Sequence, residues 1–208
     1  MFNSPRELLN AYKDGLVGSW CDPEDTDKLL GELPHPLFGV AASDLYSTGE
    51  GKVALLFKSA QKFDPTFGAH ERQTTGDCVS HSTRNAVDVT RCHEIVGGQR
   101  EAFVARGATE AIYGSRGHGG QGMSCSVAAR FVHQDGGILV RKDYGFIDLS
   151  KYDSKKGTNW GRRGVPSDVL LESQKHKVTT ISLVKSVDEA RDAIANGYAL
   201  SVCSNYGF

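Results

Sequence analysis

The residues whose types and spacing best fit a chemical role lie between Gln73 and His81. This segment reads Gln-Thr-Thr-Gly-Asp-Cys-Val-Ser-His, a glycine-bearing turn that runs directly into a predicted helix. The pattern places Asp77 at the N-cap and Cys78 in the first helical turn. The positive end of a helix favours a thiolate over a thiol, and the thiolate is the nucleophilic form of cysteine. Cys78 is therefore a candidate nucleophile.

Acyl transfer at Cys78 would need hydrogen-bond donors for the oxyanion that develops on the attacked carbonyl. The unpaired backbone N–H groups of the first helical turn are donors of this kind, and the side-chain amide of Gln73 would add one more. Each residue also has a structural interpretation. A free cysteine is commonly a small buried hydrophobe, and Gln73 alone is an ordinary surface amide.

Capping signals and hydrophobic periodicity predict a mainly helical first half of the chain. The predicted helices cover residues 4–13, 26–30, 78–91, 100–113, 127–134 and 187–196; Ser124 or Ser126 caps the fifth, and Ser186 caps the last before Gly197 ends it. Apolar and β-branched runs predict strands at residues 53–57, 138–140, 179–184 and 199–203. The stretch 153–164, rich in Gly, Lys and Asn, is predicted as a loop.

Composition excludes several classes of protein. The 208 residues carry a formal net charge of −1, which provides no overall field to attract nucleic acid or an anionic membrane. No run of 18 apolar residues and no signal-peptide pattern occurs, so we expect a non-secreted protein, cytoplasmic or part of a virion or other assembly. The five cysteines are widely spaced and contain no C-x-x-C pair, which signals neither a disulfide framework nor a metal site. No cofactor is indicated.

Four segments, in order, resemble the papain-like cysteine peptidases. Gln73, Gly76 and Cys78 match the turn and nucleophile that open the catalytic domain of that family. The next two segments are the Gly119-Gly120 loop, followed by a helix that ends in Gly-Gly-Ile at residues 136–138, and an aromatic stretch at residues 144–152. The last is the helix and strand at residues 187–202. The resemblance covers residues 63–208.

This resemblance implies an α+β fold of the papain-like two-lobe type, with a helical left lobe and an incomplete β right lobe. Residues 1–60 would be an N-terminal extension of mixed helix and loop, which could contact an assembly partner. Residues 61–208 would be a catalytic-type domain that is incomplete at its C-terminus, because the family's His base and its orienting Asn come after the strand at which this sequence stops. None of the histidines in the sequence is a convincing substitute for that base.

The resemblance also assigns roles to individual residues. Cys78 would be the nucleophile and Gln73 the oxyanion donor, while Gly119, Gly120 and Gln121 would bind an extended peptide or protein substrate. The glycines have two other interpretations, a flexible loop or a weaker phosphate-binding loop. The sequence departs from the family in three ways: the Gln73 to Cys78 spacing is one residue short, Val79 replaces an aromatic residue, and the family's bridging cysteines are absent.

Two functions follow as hypotheses. The first is a thiol hydrolase that cleaves peptide bonds through an acyl-enzyme on Cys78. The second is a non-catalytic papain-fold structural or interaction protein, for example a component of a virion or another large assembly. A transglutaminase-like or amidase reaction on the same cysteine is a more distant third.

Overall fold

The computed structural model describes residues 35–67 and 71–202, and the regular structure of these residues is helical. Short 3₁₀ turns cover Ser43–Leu45 and Gln174–His176, and a π-helical turn covers Phe131–Asp135. Residues His35–Ser201 form one compact unit. The α-helices are α1 (Phe38–Ala41), α2 (Phe57–Phe63), α3 (Cys78–Val96), α4 (Glu110–Gly114), α5 (Cys125–Arg130), α6 (Ser154–Arg163), α7 (Ser167–Ser173) and α8 (Val187–Ala195).

The α+β, papain-like two-lobe fold with a β right lobe is wrong for this chain. Within the described residues no sheet forms, and extended segments meet only at three isolated bridges: Leu37 with Leu183, Gly107 with Val140, and Asp143 with Asp148. The run at residues 138–140 illustrates the reason. Its backbone bonds go to His176 on one side and to Ala108 on the other, single contacts with loops that never continue as a ladder.

Other predicted elements are also wrong, and neither residues 179–184 nor residues 199–202 form a strand. Residues 53–55 are irregular and Val53 is 88% exposed, while α2 begins at Phe57 instead of a strand ending there. The predicted loop at residues 153–164 is the ten-residue helix α6. The Asp153 carboxylate caps this helix by accepting hydrogen bonds from the N–H groups of Lys155 and Lys156.

Helices α3, α5 and α8 confirm the predictions made from capping residues. Asp77 occupies the N-cap position of α3, the hydroxyl of Ser124 caps α5, and the hydroxyl of Ser186 accepts from the N–H of Glu189 at the start of α8. The helix predicted at residues 100–113 is reduced to α4, which starts ten residues later at Glu110. The helices predicted at residues 4–13 and 26–30, with most of the N-terminal extension, lie outside the described residues.

Helix α3 packs against α2, α4 and α5, and its buried face is largely polar. The buried side chains near its N-terminus include Ser80, His81, Arg84 and Asp88. Buried polar groups are costly unless they find partners, so this face demands an organised set of ion pairs and hydrogen bonds around it. The apolar core is formed by residues that follow α3 in the chain: Ala108, Ala111, Ile112, Ala128, Phe131, Val132, Ile138, Leu139, Leu149, Trp160 and Val169.

Helices α4 and α6 make the most extensive helix pair, and glycines allow their close approach. A Cβ atom at Gly161 would lie 2.2 Å from the guanidinium carbon of Arg116, and one at Gly114 would lie 2.7 Å from Cβ of Trp160. Arg116 is buried and donates to the carbonyl oxygens of Tyr113 and Gly157, which ties the two helices together. The glycines in α6 therefore serve packing.

Gly137 follows the π-helical turn and packs directly against the backbone around the 3₁₀ turn Gln174–His176. A Cβ atom there would lie 2.2 Å from the carbonyl oxygen of Ser173 and 2.4 Å from that of His176, and neither backbone atom can rotate away. We expect Gly137→Ala to lower the free energy of unfolding by about 1–3 kcal/mol, as overpacking does. Denaturant unfolding checks this. The matched control is Gly120→Ala, where the nearest atom belongs to the exposed side chain of His118; equal losses in both variants would contradict the prediction.

Candidate active site

Cys78 is the first residue of α3 and its side chain is exposed. Among the described residues its thiol has no hydrogen-bond partner. The interpretation of Cys78 as a buried hydrophobe is therefore wrong, since the residue is exposed. The second free cysteine, Cys92, is completely buried in the same helix, and burial raises the pKa of its thiol to about 11.

The start of α3 provides backbone donors beside the thiol. The first N–H of this region with an acceptor inside the described residues is that of His81, which donates to the carbonyl oxygen of Asp77. The N–H groups of Cys78, Val79 and Ser80 have no acceptor there. The Asp77 carboxylate makes no capping hydrogen bond to them, and of the three residues Cys78 is exposed whereas Ser80 is fully buried. The N–H of Cys78 is therefore the candidate donor to an oxyanion on a carbonyl attacked by the thiol.

Cys78 and Gln73 line the same open cleft, which has a volume of about 590 Å³. The structure therefore brings the predicted nucleophile and the predicted oxyanion donor to one surface, although the role of each stays a prediction. The other side chains that line the cleft are Phe57, Phe67, Glu71, Arg72, His81, Ser82, Arg84, Asn85 and Arg106.

The turn before Cys78 is held from one side by Gln121. The side-chain oxygen of Gln121 accepts from the N–H of Gly76 at 2.5 Å and from the hydroxyl of Thr75 at 2.9 Å. The N–H of Gly122 donates to the carbonyl oxygen of Gly76 at 3.1 Å. The substrate-binding role of Gln121 stays a prediction. Its oxygen contacts the turn before Cys78, and its side chain lines a second cavity of about 350 Å³.

Gly119 and Gly120 do not line the cleft that contains Cys78. The N–H of Gly120 donates to Nδ1 of His118 at 3.2 Å, and its carbonyl oxygen accepts from Nε of Arg116 at 3.1 Å. Both backbone groups of Gly120 are therefore engaged within the chain. A peptide that pairs with this glycine as an added strand would have to displace these two bonds.

Tyr152 holds the same turn from the other side. Its hydroxyl donates to Oδ2 of Asp77 at 2.8 Å and accepts from the N–H of Thr74 at 3.5 Å, so one side chain contacts both ends of the turn. Asp77 is almost completely buried, and its Oδ1 has no partner among the described residues. Burial, assisted by the hydrogen bond to Asp77, raises the pKa of Tyr152 to about 12, so the hydroxyl remains protonated and donates.

His81 lines the cleft but is occupied by its own neighbours. Its Nδ1 lies 3.2 Å from Nη2 of Arg84, and because a guanidinium only donates, Nδ1 must be the acceptor and the proton must sit on Nε2. Nε2 lies 3.3 Å from Oδ2 of Asp77 without hydrogen-bond geometry, and the ring meets that of Tyr152 edge to face. His81 is thus a buried imidazole directed at Arg84 and Asp77, and its Nδ1 also lies 3.8 Å from Oε2 of Glu71.

Two arginines and two glutamates form an ion-pair network under the cleft. The Glu71 carboxylate lies 3.4 Å from Nη2 of Arg84 and 3.2 Å from Nη2 of Arg141. Nη1 of Arg141 donates to both carboxylate oxygens of Glu110 at 2.7 and 2.8 Å. The network joins Glu71 to Arg84 in α3 and, through Arg141, to Glu110 in α4. Nε of Arg84 and Nε of Arg141 have no hydrogen-bond partner among the described residues.

Sequence reasoning missed most of this support. Glu71, Arg84, Arg141 and Tyr152 come from distant points in the chain and follow no local motif. The signal that was available is the polar face of α3, where Arg84 and Asp88 recur at helical spacing on a helix predicted to be packed. Charged residues on a packed face predict buried partners elsewhere, without identifying them.

Other chemistry is not indicated by the described residues. They contain no group of three or more His, Cys, Asp or Glu side chains arranged to hold a metal ion, and no helix among them is long and apolar enough to cross a membrane. Cys125 is disulfide-bonded, a feature that the spacing of the cysteines does not signal.

Tyr152 is expected to stabilise the turn through its hydroxyl. In Tyr152→Phe the buried Oδ2 of Asp77 loses its donor, which should lower the free energy of unfolding by about 1–3 kcal/mol. Urea unfolding of the variant measures this loss. The control is Tyr46→Phe, because Tyr46 is 69% exposed. A loss no larger than that of the control would show that the bond to Asp77 contributes nothing.

Asp88 gives a pH-dependent prediction. Burial raises the pKa of its carboxyl to about 6 although it accepts from the N–H of Gly107, so the folded protein takes up a proton more readily than the unfolded chain. Stability from this group is therefore present at pH 4 and is lost as the pH rises through 6. Relative to Asp88→Asn, which cannot titrate, the wild type should lose about 3 kcal/mol between pH 4 and pH 7. Unfolding curves that stay parallel would contradict the expectation.

The comparisons with known proteins leave the chain without an assigned family. It matches no protein-family model, no curated protein and no solved structure. The geometry around Cys78 is therefore the basis for assigning a function.

Proposed function

We propose that the protein is a thiol hydrolase that cleaves a peptide or isopeptide bond through an acyl-enzyme on Cys78. The observation that carries this proposal is the exposed thiol at the N-terminus of a 19-residue helix, beside backbone N–H groups without an acceptor in the described chain. An exposed nucleophile, a positive helix end and free donors at one point are the requirements for attack on a carbonyl.

The reaction has two steps. The Cys78 thiolate forms a bond to the carbonyl carbon, the carbonyl oxygen becomes an oxyanion, and collapse of this intermediate breaks the C–N bond so that the amine leaves with a proton. Water then attacks the thioester, and release of the acid returns the thiol. The backbone N–H of Cys78 and the side-chain amide of Gln73 would stabilise the oxyanion in both steps.

The base is the part of the mechanism that the described residues do not contribute. No imidazole among residues 35–67 and 71–202 makes a hydrogen bond to the Cys78 thiol, and His81 uses Nδ1 to accept from Arg84. To act as the base, His81 would have to release Arg84, a buried arginine whose remaining contacts are Glu71 and the carbonyl oxygen of Gly107. The proton of the Cys78 thiol would accordingly be accepted by a residue outside the described ranges.

No imidazole of the described residues is hydrogen-bonded to the thiol, and this observation favours a second candidate, a non-catalytic interaction protein. In that case the cleft binds a protein segment and Cys78 is one exposed contact in it. The assembly contact predicted for the N-terminal extension belongs to this candidate, and residues 1–34 lie outside the described residues.

The two candidates differ in the effect of removing the sulfur. We expect Cys78→Ala to abolish hydrolysis of a denatured-protein substrate while the free energy of unfolding stays within about 0.5 kcal/mol of wild type, as is usual for exposed positions. Gln73→Ala should retain the acyl-enzyme, detectable by intact mass after acid quench, and lower kcat by about 10²-fold or more. The control is Cys92→Ala, which removes the buried thiol and should keep turnover. Hydrolysis that survives Cys78→Ala would overturn the proposal.

A further inference from the structure

We propose that the cleft beside Cys78 selects acyl substrates that carry a carboxylate, which pairs with Arg72, and an apolar side chain, which packs on Phe57 and Phe67. This inference rests on the proposed function for the identity of the bond that is cleaved. The predicted binding of a carboxylate depends on the charges and contacts of the cleft and not on the reaction at Cys78.

Four charged side chains line the cleft, and three of them are already paired. Glu71 is shared between Arg84 and Arg141, at 3.4 and 3.2 Å. Nε of Arg106 lies 2.6 Å from Oδ2 of Asp64, and its Nη2 donates to the hydroxyl of Thr66 at 3.1 Å. These residues are engaged inside the protein and leave little capacity for a ligand.

Arg72 is the exception. Its side chain is exposed, and no described residue forms an ion pair or a hydrogen bond with it. It follows Glu71 and precedes Gln73, so it sits on the wall of the cleft that also carries the predicted oxyanion donor. The planar guanidinium of arginine can donate two parallel hydrogen bonds to one carboxylate. No described residue accepts a hydrogen bond from Arg72, so its donors can bind a ligand carboxylate in this way.

The positive charge at the surface of the cleft is local to Arg72. Glu71 and Asp64 pair with Arg84 and Arg106, and the buried Asp88 carboxylate adds a second attraction on Arg84. Arg72 is the lining cation that has no anionic partner among the described residues. An exposed cation in a cleft attracts anions and repels cations, so substrates with Lys or Arg near the cleaved bond should be disfavoured.

The apolar part of the cleft is formed by two phenylalanine rings. Phe57 is 46% exposed at the first residue of α2, and the guanidinium carbon of Arg106 lies 4.9 Å from the centre of the Phe67 ring. The ion pair with Asp64 holds Arg106, and Arg106 in turn holds Phe67 by a cation–π contact. A fixed ring and an exposed ring make a surface for an apolar side chain, which loses its contact with water on binding.

The test compares two small alkylating reagents at Cys78 in the full chain. Iodoacetate carries a carboxylate and iodoacetamide is its neutral counterpart, and both react with the same thiolate, so the ratio of their rates cancels any change in thiolate fraction. Peptide mapping separates the products at Cys78 from those at other cysteines. The variants are Arg72→Ala and the matched control Arg163→Ala, an exposed arginine at the end of α6 outside the cleft.

We expect the iodoacetate to iodoacetamide ratio at Cys78 to exceed that of the same cysteine in the denatured protein. The ratio should fall several-fold in Arg72→Ala and stay at the wild-type value in Arg163→Ala. Raising the salt concentration should reduce the wild-type preference, because a solvent-exposed charge is screened. An unchanged ratio in Arg72→Ala overturns the proposal, whether or not the protein hydrolyses anything.

A second readout separates the two proposals. Matched peptides with Glu or Gln next to the same cleaved bond should differ in kcat/KM in the wild type, and Arg72→Ala should reduce the difference. An alkylation preference that depends on Arg72, without turnover of either peptide, supports the anion site and overturns the hydrolase. Turnover with equal kcat/KM for both peptides supports the hydrolase and overturns the selectivity for a carboxylate.

Discussion

The shared carboxylate of Glu71 is the interaction on which the site depends. It lies two residues before Gln73 and balances Arg84 from α3 and Arg141 from the loop after α5. The Glu71 side chain is 25% exposed, whereas those of Arg84 and Arg141 are 2% and 9% exposed, so it is the guanidinium groups that most need a partner. The segment that carries Arg72 and Gln73 is therefore fixed to α3 by electrostatics, although its other side chains face the open cleft.

The turn that follows is fixed by different means at each end. Tyr152 binds Asp77 and Thr74, while Gln121 binds Thr75 and Gly76. None of these bonds involves Cys78 itself, and none uses the N–H groups at the start of α3. The support surrounds the reactive atoms without occupying them, which is the arrangement that a preorganised site requires.

The sequence predicts the parts of this structure that local rules control. Helices α3, α5 and α8 begin directly after Asp77, Ser124 and Ser186, the residues predicted to precede them, and the hydroxyls of Ser124 and Ser186 make the capping bonds. The position of Cys78 in the first turn of α3 follows from the same reasoning. Strand predictions fail because a β-type run becomes a strand only with a partner, and the run at residues 138–140 contacts loops. No local pattern contains information about such a partner.

Helix α6 shows the opposite error. Its glycines suggest a loop, yet Gly157 and Gly161 are four residues apart and share the face that contacts Tyr113 and Arg116. Packing overrides low helix propensity here, because only glycine admits such close neighbours.

The same limit applies to the chemistry of the cleft. Cys78 and Gln73 lie within one short segment and were candidates from a local pattern, and their roles stay predictions. That Arg72 has no partner among the described residues, whereas Glu71, Arg84 and Arg106 are paired, appears only in the structure. The other charged side chains that line the cleft, Glu71, Arg84 and Arg106, each have an ion-pair partner. The groups of the cleft that a ligand can contact are then Arg72, the rings of Phe57 and Phe67, and the N-terminus of α3. Together they favour an anionic acyl group over a cationic one.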